Sequence, residues 1–126
     1  MDNDIYNRLR QLDIEDFIWM IYIGIIFLSW FSNGLERKYI LSKSENSKNQ
    51  YRKVIQIIFS ILVVVYLYFL KSSVDDIRNL KPTDSDKKRK FVYLSFLASL
   101  FIACSGFILL YIAYADEDLS VELAFN

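Results

Sequence analysis

The chain has 126 residues, 54% hydrophobic and 17% aromatic, and its 15 basic and 15 acidic residues cancel to a formal net charge of zero. That length bounds one small unit, and neutrality argues against a nucleic-acid partner. With no His and a single Cys, zinc held by imidazole or thiolate, His-ligated haem and His-based nucleophile triads are excluded.

The charges are not spread evenly. Residues 17–35, 54–70 and 91–115 contain no Asp, Glu, Lys or Arg, which makes 61 of the 126 positions uncharged in three runs. As helices these runs would measure about 28, 26 and 38 Å, against a bilayer hydrocarbon core of about 30 Å. The second reaches across once Lys53 and Lys71 at its ends extend their amines toward the headgroups. A soluble bundle would need a polar stripe on each helix, and in residues 54–70 only Gln56 and Ser60 are strongly polar. The expectation is an all-α integral membrane protein. It has three transmembrane helices in a small up-down bundle, spanning about 15–35, 54–73 and 89–115. These form one membrane domain over 1–126, with loops at 36–53 and 74–88 and a tail at 116–126.

Ahead of the first span, Ile5, Leu9 and Leu12 recur at helical spacing among Asn7, Arg8, Arg10 and Gln11, which predicts a short amphipathic segment on the membrane surface. Asp2 and Asp4 stand where a secretory signal would be basic, so the first run is read as a retained span. Asp13, Glu15 and Asp16 suit a helix start, Trp19 and Trp30 sit toward opposite ends of the run, and Asn33-Gly34 reads as its stop.

The first loop, rich in Ser, Asn and Lys, is expected to be solvated and mobile. The second helix is expected to overshoot its apolar run through Val74 and Ile77 until Pro82 stops it. Thr83-Asp84-Ser85-Asp86 supplies capping groups for the third helix. Its first turn carries Lys87, Lys88, Arg89 and Lys90, against the preference of the helix dipole. This run, with Arg52 and Lys53, is a candidate for anionic lipid headgroups or for flank charges that fix the span ends.

Within the third run Ser95, Ser99, Ala103 and Gly106 make one small-residue stripe where helices can approach closely. It serves either packing within the chain or a seam between copies. Cys104 beside it reads as a buried packing residue. In the tail, Leu119, Val121, Leu123 and Phe125 alternate with more polar residues, so this stretch either adds a strand to a partner's sheet or frays.

Three spans place nine basic residues on the side of the N-terminus and second loop and six on the other, favouring a cytoplasmic N-terminus and an outside C-terminus. A re-entrant second run would gather both basic loops on one side, but it holds no Gly or Pro at which to reverse. Asp84 and Asp86 have the spacing of a metal-binding carboxylate pair, yet beside a proline turn they read as caps; Asp116-Glu117-Asp118 lacks the Gly and further oxygens of a calcium loop. No acid or base lies inside any run, which argues against proton or ion coupling.

No catalytic residue, metal ligand or cofactor is therefore expected. The partners expected are the bilayer and another membrane protein or a second copy of the chain. The function expected is an accessory, assembly or interaction subunit of a membrane complex. The alternative is a homo-oligomeric pore: size and three spans are similar in outline to small phage holins. No motif carries that resemblance, and the acidic end differs from the basic C-terminus common among them.

Overall fold

The computed structural model describes residues 2–118. Among them the protein is all-α, with no strand: α1 (Asp2–Ser42), α2 (Glu45–Arg78) and α3 (Asp86–Ala115). The alternating stretch from Leu119 onward lies outside the described residues. Each helix is long and apolar enough to cross a membrane. At 41, 34 and 30 residues they measure about 61, 51 and 45 Å, so all three outrun the hydrocarbon core. The described residues form two compact units divided within α2, one ending at Val54 and the other starting at Ile55.

In the first unit, α1 differs from expectation at both ends. The amphipathic stretch before residue 13 is no separate surface helix, because α1 runs through it without a break. Nor does the helix stop at Asn33-Gly34. A side chain built at Gly34 would meet nothing within 4 Å, so this glycine serves no close approach. It is a weak helix former carried through by the residues that follow, Leu35-Glu36-Arg37-Lys38. Gly34→Ala should therefore raise stability by about 0.5–1 kcal/mol. Thermal unfolding in detergent measures it, and a loss of helix content would show that a stop is needed there.

The first connection shrinks accordingly from an expected loop of 36–53 to Lys43-Ser44. Lys43 adopts the left-handed conformation at φ 55°, its amide donating 2.7 Å to the Tyr39 carbonyl, which closes α1 as a helix C-cap. Ser44 then caps the next helix, its hydroxyl accepting from the Ser47 amide at 3.3 Å. Short Ser and Asn side chains, which suggest a loop in sequence, here close one helix and open the next within two residues. Lys48 lies 5.9 Å over the Tyr39 ring across this break.

The covered face of α1 is a regular seam. Ile18, Ile25 and Ser32 are buried with Tyr22 and Ser29 half-buried between them, at alternating spacings of four and three. The opposite face exposes Phe17, Trp19, Met20, Ile23, Phe27, Trp30 and Phe31. Outward residues are thus more apolar than inward ones, the reverse of a water-soluble helix. Such an inversion is natural where the surroundings are lipid and small polar groups let helices approach.

In the second unit α2 and α3 form an antiparallel hairpin. Val63 and Tyr66 lie against Gly106, and the Gln56 side-chain amide donates 3.3 Å to the Ala113 carbonyl. α2 runs unbroken through its apolar stretch, and Ile58, Phe59 and Leu62 are buried on it.

Candidate functional site

The α2–α3 hairpin holds most of the residues that the sequence singles out. On α3, Ala103, Gly106 and Ala113 are buried, Ser99 is half-buried and Ser95 is exposed. Lacking a Cβ, Gly106 lets the Tyr66 ring come within 2.7 Å of where one would stand. The middle of the small-residue stripe thus packs inside the chain, and its N-terminal end is open. Cys104 is exposed. It is not a buried packing residue, because one position along from Ala103 turns the side chain about 100° away from α2.

Three polar groups in and just past the apolar stretch of α2 find their partners within the hairpin. Gln56 bonds to Ala113 across the hairpin, and the Ser60 hydroxyl donates 2.7 Å to the Gln56 carbonyl. Ser73, buried, donates 2.8 Å to the Leu70 carbonyl. Each bond keeps a polar atom from facing an apolar medium unpaired.

The turn between the helices is built around Asp84. One carboxylate oxygen accepts from the Lys81 amide at 2.7 Å, the other takes the Lys88 ammonium at 3.2 Å, and the Asp84 amide donates back to the Lys81 carbonyl at 3.0 Å. Ser85 is the N-cap of α3, its hydroxyl accepting from the Lys88 amide at 3.1 Å. Arg89 reaches over the turn to donate to the Lys81 carbonyl.

The Lys81 amide, with the Lys88 ammonium and the nearby Arg89 charge, holds the Asp84 carboxyl below its ordinary 3.8, against a smaller upward pull from burial. A lowered folded value means that the unfolded chain takes up the proton first. The contribution of Asp84 is therefore complete above 3.8 and is lost as pH falls below that through the folded value. In a pH titration followed by NMR, the Lys81 amide resonance should move with a midpoint below 3.8. Asp84→Asn should remove that step and leave a less stable turn at neutral pH.

Four adjacent cations that look equivalent in sequence are thereby sorted. Lys88 and Arg89 tie the turn, whereas Lys87 lies 6.0 Å over the Phe91 ring and Lys90 is exposed. Arg52 and Lys53 belong to the first unit, half-buried and exposed respectively on α2. The structure brings Lys87 and Lys88 together with Ser95 around one groove, and leaves Arg52 and Lys53 elsewhere. In the sequence Asp84 reads as a cap only. The signal for its larger role is the spacing Lys81-x-x-Asp84, in which a carboxylate faces an amide three residues back across Pro82. Asp86 opens the first turn of α3, and no group of three possible metal ligands occurs among the described residues.

Compared with known protein families, curated proteins and solved structures, the chain matches none.

Proposed function

We propose that the chain is a non-enzymatic accessory or assembly subunit of a membrane complex, with the bilayer and another membrane protein as its partners. The observation that carries this reading is the apolar and aromatic character of the outer surface. Gln56, Ser60 and Ser73 have their bonds inside the protein, while Phe, Trp, Ile and Leu side chains cover the outside. Such a surface offers lipids and neighbouring helices apolar and aromatic contacts. A pore built from copies of the chain would instead need polar groups turned toward a water path.

The proposed orientation has the N-terminus and the α2–α3 turn on the cytoplasmic side, where nine of the 15 basic residues lie. The test of function is the mass of the full chain purified from its own membrane in mild detergent, with co-purifying chains identified. A defined complex with a different protein is the expected result. A discrete homo-oligomer that makes liposomes leak would replace this reading with the pore.

A further inference from the structure

The contacts of Gln56 with Ala113, and of Val63 and Tyr66 with Gly106, set the axial register of the hairpin. By that register Ala115 is level with about Ile55, so both apolar stretches stop together at one end of the hairpin. At the other end they do not. Leu70, the last residue before Lys71, is level with about Leu100, whereas the apolar run of α3 continues to Phe91, about 13 Å farther.

Measured from the flush end, about 20 residues fill the hydrocarbon core. The first turns of α3 and the charged end of α2 therefore stand side by side at the depth of the lipid headgroups. A groove of about 440 Å³ opens there, lined by Asp76, Ser85, Lys87, Lys88, Phe91, Val92 and Ser95.

The chemistry along this groove is ordered. Lys87 and Lys88 are at its outer end, and Phe91 and Val92 one turn deeper. A phospholipid sets its phosphate outermost and its glycerol, which tolerates both apolar and polar neighbours, about one turn deeper, before its acyl chains begin. Lys87 also sits in the first turn of α3, where the helix dipole disfavours a cation, and a bound anion offsets that repulsion. Asp76, the acid on the groove wall, is level with about Leu94, some 9 Å deeper than Lys88, beside the glycerol rather than the phosphate of such a molecule.

We propose that this groove binds an anionic phospholipid, its phosphate held by Lys87 and Lys88 and its glycerol and ester groups beside Phe91 and Val92, from where the acyl chains run down into the hydrocarbon core. The proposal rests on reading the helices as membrane spans. On the proposed orientation the groove faces the cytoplasmic leaflet, where anionic lipids are concentrated.

The test is native mass spectrometry of the full chain in mild detergent, titrated with phosphatidylglycerol or phosphatidylcholine. The native chain should retain phosphatidylglycerol preferentially, and Lys87→Gln should weaken that retention about fivefold. Lys90→Gln removes the same charge one turn along, outside the groove, and should leave retention unchanged. Val92→Trp fills the groove with every charge in place and should abolish the preference. Equal losses from Lys87→Gln and Lys90→Gln, or full retention by Val92→Trp, would overturn the site. Release of the native chain from its membrane by alkaline carbonate would instead overturn the membrane reading itself, which separates the two failures.

Discussion

Replacing Gly106 should loosen the α2–α3 hairpin more than any other single change on α3. A Cβ there would stand 2.7 Å from Tyr66 Cδ2 and 3.4 Å from Val63 Cγ2. Cδ2 is part of a rigid ring, so the added methyl can be accommodated only by turning the whole ring or by moving the helices apart. Gly106→Ala should cost about 1–3 kcal/mol, the usual range for overpacking, and Gly106→Leu more. Unfolding of the full chain in mixed micelles measures both. Because the conflict is with one side chain, Tyr66→Ala should restore part of what Gly106→Ala loses, and a double-mutant cycle gives the coupling. If Gly106→Leu is neutral, the close approach of the two helices is not what holds the hairpin.

Phe59 should show the other large effect. It is fully buried, at 0% exposure, and Phe59→Ala leaves a void. In water such a change loses about 3–5 kcal/mol, combining lost transfer energy with the cavity left behind. In a membrane the transfer part largely falls away, because lipid tails are as apolar as the protein interior. The lost van der Waals contacts remain. The expected cost is therefore about 2–3 kcal/mol, and Phe59→Leu should recover most of it. Phe17→Ala, at an exposed position on α1, should cost much less under the same conditions. A loss at Phe17 as large as that at Phe59 would mean that the outer face of α1 is packed and not bathed in lipid.

The substitutions at Gly106 and Phe59 test how the helices pack, and packing is the level at which sequence reading gives out. Three charge-free runs long enough to cross a bilayer are plain in the order of residues, because a buried charge is too costly to hide. The overshoot of α2 and the capping of α3 by Ser85 are equally local, since each depends on groups within four residues of one another. By contrast, Asn33-Gly34 misleads, because a glycine that breaks an isolated helix is tolerated when both flanks are committed to the same helix. The Ser- and Asn-rich stretch around Lys43 misleads for a related reason: the same side chains that favour loops also cap helices.

The residues alone therefore determine that the chain is helical, that three helices can cross a membrane, and that basic clusters flank them. Which side of each helix faces inward was left to the tertiary structure. Cys104 faces out while Ala103 and Gly106 face in, and Lys88 and Arg89 tie the turn while Lys87 lines a groove. The axial offset that brings the charged end of α2 beside apolar α3 also follows only from contacts across the hairpin. The reason is physical. In water the hydrophobic effect marks the buried face by its periodicity, but where the surroundings are themselves apolar that contrast is lost, and shape complementarity and individual hydrogen bonds decide which faces meet.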